Sequence, residues 1–234
     1  MDSTTPLGHF RQSYFGPVGP TMGYWNSWHI RYETDGAGLA ILTLIEQQEA
    51  KAELLLAVQN PLDPRPLLGL GYLSSEAALP ALHRCLAVQG THSWSTHAIR
   101  AIAQIDPAAL HQTQLLHSLT YSPAHENPLS DPLIDLLLGL RLYFPLVLLE
   151  SPVIEQIINL LHHPKGLVRV HALQMLREFY VFPTAAQETA QDIERSQSDP
   201  IFQLIRQDGS PLSYHEAERL LRIAAQATSG APGA

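Results

Sequence analysis

Lysine is nearly missing from this 234-residue chain: Lys51 and Lys165 are the only two among fourteen basic residues, and the others are Arg. With a formal charge of -8 the chain also lacks the net basic face by which a strong binder of phosphate backbones releases counterions. A single cysteine, Cys85, excludes an internal disulfide and fits a reducing compartment. Long hydrophobic runs are lacking too. The longest, Leu133 to Leu149, is broken by Asp135, Arg141 and Pro145, short of the roughly 18 apolar residues a membrane span needs. Met1-Asp2-Ser3-Thr4-Thr5-Pro6 shows neither a basic n-region nor an apolar h-region, so the expectation is a cytoplasmic chain with no membrane partner. No Gly-rich phosphate loop, His-Glu-x-x-His, Cys-x-x-Cys or Gly-x-Ser-x-Gly elbow is present.

What is present is a repeat. Apolar pairs recur at Leu70/Leu73, Ile102/Ile105, Leu137/Leu140 and Leu173/Leu176, in steps of 32, 35 and 36 residues. Such periods mark one helical unit copied several times, and the lack of alternating strand patterns agrees. The apolar periodicity predicts a helix over residues 39–58, ended by Asn60-Pro61-Leu62-Asp63-Pro64, because each Pro removes a donor and biases its predecessor away from helix. Further helices are predicted over 67–73, from an N-cap at Ser75 to 88, over 94–105, and from the N-cap and N1 pair Asp106-Pro107. Ser130-Asp131-Pro132 and Ser151-Pro152 open two more, ending near Tyr143 and His162, and another covers 167–182. Weaker segments follow at 185–197, 200–208 and 214–227, the last with Ser213 and Glu216 spaced as a capping box.

Residues 1–38 differ in kind. They are dense in Gly and Pro, show no helical period, and hold seven of the seventeen aromatics: Phe10, Tyr14, Phe15, Tyr24, Trp25, Trp28 and Tyr32. Two readings stand side by side, a cap over the greasy end of a helical stack and a recognition segment. Residues 39–228 form the repeat domain, and 229–234 a frayed tail.

Two segments carry a family likeness. Leu70-Gly71-Tyr72-Leu73-Ser74-Ser75-Glu76-Ala77-Ala78-Leu79-Pro80-Ala81-Leu82 and Ile99-Arg100-Ala101-Ile102-Ala103-Gln104-Ile105-Asp106-Pro107 resemble HEAT-like repeats of the phycobilin-lyase type. His163-Pro164-Lys165-Gly166-Leu167-Val168-Arg169-Val170-His171-Ala172-Leu173 is similar to the other half of that consensus, an inter-helix turn followed by Val-Arg. The likeness spans residues 60–182 and implies an all-α fold, an alpha-alpha superhelix (HEAT-like solenoid) of about four to five helix pairs. It also implies that Arg169 binds carbonyls or acids of neighbouring turns. Departures are the 121–131 insertion, the missing Val-Arg near 65–68 and 130–134, and the aromatic leader. Such repeats serve lyases, hydroxylases, glycosylases and binding proteins, so the fold alone does not choose a function.

The side chains narrow the choice. No two of the twelve histidines are three or four residues apart, which is the spacing that aims two ligands of one helix at one ion, so neither a metal nor a cofactor is expected. The dipeptides His125-Glu126 and His215-Glu216, which matter in iron-dependent hydroxylases of similar fold, read here as loop surface and helix cap. Cys85 reads as a small buried residue. Alkylpurine DNA glycosylases with HEAT-like repeats suggest grouping Trp94, His97, Arg100 and Asp135, but the acidic charge speaks against nucleic acid. The expected function is a non-catalytic protein-binding module, an inhibitor or immunity-type protein for a basic partner, with Trp25, Trp28, Trp94, His97, Arg100, Asp135 and Arg169 as contact candidates. The alternative is a cofactor or tetrapyrrole lyase or chaperone. If the leader is a cap anchored on the 39–58 helix, Trp25→Ala or Trp28→Ala destabilises the fold by about 3 kcal/mol in a thermal melt. Loss of partner capture at unchanged melting temperature would make the leader a recognition element instead.

Overall fold

The computed structural model describes residues 5–16, 36–59, 64–87, 94–120, 132–180, 199–206 and 211–229. Helix accounts for 85% of them and no strand occurs among them, so the described part of the chain is all-α. They form two compact units, one of described residues up to His111 and one from Gln112 onward. The Trp25 and Trp28 expectations lie outside the described residues.

The first unit holds six helices. α1 (Pro6–Phe15) corrects the reading of a leader without helical period. Thr5 Oγ1 accepts from Gly8 N–H at 3.1 Å, Pro6 supplies a preset φ, and Phe10 and Tyr14, one turn apart, are buried with ring centroids 5.1 Å apart. Two buried aromatics make too short a stripe to register as a period. Gly16 is extended, as the residue before a proline prefers. The predicted 39–58 helix is two helices, α2 (Gly36–Ala40) and α3 (Leu44–Ala57). The break is a capping box: Thr43 Oγ1 accepts from Glu46 N–H at 3.3 Å while the Glu46 carboxylate accepts from Thr43 N–H at 2.9 Å.

α4 (Arg65–Tyr72), α5 (Leu79–Ala87) and α6 (Ser95–Ile105) complete this unit. Ser75 does not cap α5. It is buried without a side-chain capping bond, and a 3-10 turn, Glu76–Ala78, precedes the helix. α4 packs against α1, α2 and α3 and also against α6, and its glycines permit both approaches. A Cβ on Gly69 would lie 2.6 Å from the Tyr14 ring, and one on Gly71 only 2.9 Å from Ala101 Cα of α6. Arginines tie α1 down: Arg65 donates to Ser13 O and Gly16 O, each at 2.9 Å, and Arg11 Nε donates to Glu53 of α3 at 2.9 Å.

The second unit holds α7 (Gln112–Thr120), α8 (Pro132–Tyr143), α9 (Ser151–Asn159), α10 (Gly166–Tyr180), α11 (Pro200–Arg206) and α12 (Pro211–Ser229). α7 packs on α9, α8 on α10, and α10 on α11 and α12. Asp199 Oδ1 accepts from Ile201 and Phe202 N–H, and its carboxylate also pairs with Arg177 of α10. The expected Ser213 cap is not the start of α12. The helix begins at Pro211, and Glu216 turns instead to Arg219, whose Nε donates to it at 2.6 Å.

Across both units the leading residues of the repeated pairs, Leu70, Ile102, Leu137 and Leu173, are 0% exposed and sit on α4, α6, α8 and α10. The repeat is therefore a record of the core. Elsewhere on a helix, Gly→Ala stabilises by roughly 0.5–1 kcal/mol. At Gly71 the backbone of α6 is in the way, so Gly71→Ala lowers the melting temperature. Ser74, at φ 45 just past α4, is the one non-glycine residue with positive φ among those described, so Ser74→Gly raises it, by about 0.5–1 kcal/mol of stability.

Candidate functional site

The second unit brings together ionisable side chains that are far apart in sequence. His162 ends the 3-10 turn Leu160–His162 behind α9, and His163 leaves it extended ahead of Pro164. α12 supplies His215, Glu218 and Arg222, whose offsets of three, four and seven residues put them along one side of the helix, and the buried Tyr214 beside them. His162 Nε2 lies 2.8 Å from Glu218 Oε2. The other oxygen, Oε1, accepts from Arg222 Nε at 2.9 Å, and the Arg222 fork reaches Glu155 of α9 at 3.1 and 2.7 Å. The His215 ring centroid is 4.6 Å from that of His162. One donor atom from each of His162, His215 and Glu218 lies within 4.8 Å of the others. Burial alone would push the Glu218 carboxyl up, but its bonds to His162 and Arg222 carry it below the ordinary 4.5. Hydrogen bonding to Arg222 likewise lowers Glu155.

Arg169 stands behind this cluster. It is wholly buried; its Nε donates to Ile205 O at 2.7 Å and its Nη1 to His163 O and Pro164 O at 2.8 Å. Its guanidinium carbon lies 4.6 Å from the centre of the Tyr214 ring. Arg169 thus fixes the turn that carries His162 and the residue beside His215. This is the carbonyl-binding role implied by the resemblance, and it leaves Arg169 out of a partner's reach.

The other expected residues divide between the two units. Trp94 precedes α6, half-buried and without a side-chain capping bond, and its ring lies 6.3 Å from that of His97. Arg100 Nη2 donates to the Tyr72 hydroxyl at 3.2 Å. These belong to the first unit, whereas Asp135, half-buried in the first turn of α8, belongs to the second. Cys85 is buried, and burial raises its thiol despite the charge of Arg84. The capping assignment for His215-Glu216 does not hold; His215 faces His162 instead. Sequence reasoning missed this cluster because it sought ligand pairs within one helix, while His162 and His215 are fifty-three residues apart. The available signal was His215-x-x-Glu218, the reverse of the Glu-x-x-His order.

The first unit also exposes large aliphatic side chains on and just before α3. Ile41, Leu44, Ile45 and Leu56 are 65%, 79%, 78% and 76% exposed. Ile45, Glu49, Ala52 and Leu56 follow a helical stripe along α3, opposite the buried Ala50, Leu54 and Val58.

No protein-family model, curated protein or solved structure matches the chain.

A second histidine pair makes the first unit sensitive to acid. His83 is buried and its ring stacks on that of His111 with centroids 3.8 Å apart and planes nearly parallel. Burial, and then the charge of His111, depress His83 below its ordinary 6.5, against an opposing hydrogen bond with the Ala109 backbone. The unfolded chain therefore takes up a proton that the folded chain refuses, and stability falls as pH drops below about 6.5. The depressed carboxylates of Glu155, Glu216 and Glu218 act in the same direction only below about 4.5. The melting temperature of the parent chain thus declines between those two values, and His83→Gln flattens that decline without altering the one at lower pH.

Proposed function

We propose that the chain is a non-catalytic, HEAT-like helical-repeat solenoid that binds a basic protein partner, in the manner of an inhibitor or immunity-type protein. The observation that carries the reading is the exposure of four large aliphatic side chains on and just before α3, Ile41, Leu44, Ile45 and Leu56. Large aliphatic side chains gathered at such exposure on a monomer mark an interaction surface, whereas scattered ones need no explanation. Its setting is acidic by a narrow margin: Glu46, Glu49 and Glu53 outnumber Lys51 of the same helix and the Arg11 that pairs with Glu49 and Glu53, and the chain as a whole carries -8. Acidic surroundings steer a basic protein toward the patch and disfavour acidic competitors, while the aliphatic centre supplies the affinity. The buried anchors on alternate helices support the repeat architecture, which presents extended faces to partners.

The test is the double substitution Leu44→Asp, Ile45→Asp. Both positions are exposed, so stability changes little, by no more than about 0.5 kcal/mol for each. The parent chain is expected to hold a basic protein at fixed stoichiometry in native mass spectrometry, identified by its peptides, and the double variant to lose it at least tenfold. Retention of the partner by a folded double variant overturns the assignment of the face. A concentration-dependent dimer that the substitutions abolish would replace the basic partner with a second copy of this chain.

A further inference from the structure

The charge network of the second unit goes beyond that reading and is independent of it. We propose that His162, His215 and Glu218 bind one divalent transition metal ion of the zinc type, with at least one coordination position left open. Two imidazoles and one carboxylate are a nitrogen-oxygen donor set, which suits zinc and its neighbours and not calcium or magnesium, which take oxygen ligands. Their donor atoms already lie within 4.8 Å of one another, so an ion at the usual bond length of about 2.0–2.2 Å needs only side-chain adjustment. His215 and Glu218, at positions i and i+3 of α12, face the same side, and His162 meets them from the turn behind α9. Three protein ligands leave a tetrahedral ion a fourth position for water, and the exposure of His215 puts that position within reach of solvent.

The supporting residues meet the demands of a metal centre. Glu218 offers Oε2 to the ion while Oε1 keeps its bond from Arg222, so the carboxylate is oriented from behind. Arg222 would repel a cation if it stood alone, but Glu155 takes the fork of its guanidinium. Glu218, Arg222 and Glu155 together leave one net negative charge facing the ion. Arg169 holds the carbonyls of His163 and Pro164 and stacks on Tyr214, so the residues next to both histidine ligands are fixed by a buried group that need not move on binding. The sole cysteine, Cys85, lies in the other unit and takes no part.

The experiment titrates the full chain, stripped with chelator, with zinc alone and with cobalt alone. Calorimetry is expected to show one zinc site per chain, and cobalt to give the intense visible bands of a four-coordinate nitrogen-oxygen site. His215→Ala, at an exposed position, is expected to weaken zinc at least tenfold and erase the cobalt bands with the melting temperature of the metal-free chain unchanged. Glu218→Gln is expected to weaken zinc while the histidines stay in place, and His97→Ala in the other unit to change nothing. Because metal competes with protons for imidazole, affinity is expected to fall as pH drops toward 6. An unchanged zinc isotherm in His215→Ala, or no zinc uptake by the parent chain, overturns the proposal and leaves His162, Glu218 and Arg222 a structural ion-pair network. Neither result bears on the α3 face, which lies in the first unit.

Discussion

The second unit depends on the burial of one charge. A guanidinium withdrawn from water is costly unless its donors are satisfied, and Arg169 satisfies them on the carbonyls of His163, Pro164 and Ile205. Those carbonyls belong to the turn before α10, ahead of its hydrogen-bond ladder, and to the last turn of α11, where helix geometry leaves acceptors without intrahelical partners. One side chain thus answers two sets of orphan acceptors and, through Tyr214, sets the start of α12. Replacement by lysine would keep the charge and lose the fork, because an ammonium cannot reach three carbonyls from a single planar head. The arginine bias of the composition acquires a physical meaning here.

The same device recurs. Arg11 joins α1 to α3, Arg65 closes the end of α1, Arg141 of α8 bonds Glu178 and Gln174 of α10, and Arg222 joins α12 to α9. Except for the exposed Arg222–Glu155 pair, these contacts are partly buried, where planar bidentate geometry counts for more than it does in open solvent.

The helices and their buried faces were legible in the sequence wherever apolar spacing ran for three turns or more. Leu70, Ile102, Leu137 and Leu173 were read as core and are core. The failures lay at ends and breaks. Thr43 and Glu46 divide an apolar run that looked continuous, because reciprocal capping bonds outweigh periodicity over two residues. Ser75 and Ser213 have the right residue type for caps, yet Ser75 is buried below a 3-10 turn and Ser213 is overtaken by Pro211. α1 was missed because two aromatics one turn apart are a weak signal beside so many glycines and prolines. The histidine cluster was illegible for a different reason: its members meet only through tertiary packing, and no local pattern records which turn will lie against which helix.

α4 is enclosed on opposite sides, because Gly69 and Gly71, two residues apart on the helix, face opposite neighbours at distances that leave no space for a Cβ. Pro66 through Gly71 are all buried. No face of that stretch can lift away by itself, so its amide protons have no local route to water and exchange only when the whole unit opens. The slowest-exchanging amides of the first unit therefore belong to one of its shortest helices, and the free energy read from them is that of opening this unit as a whole.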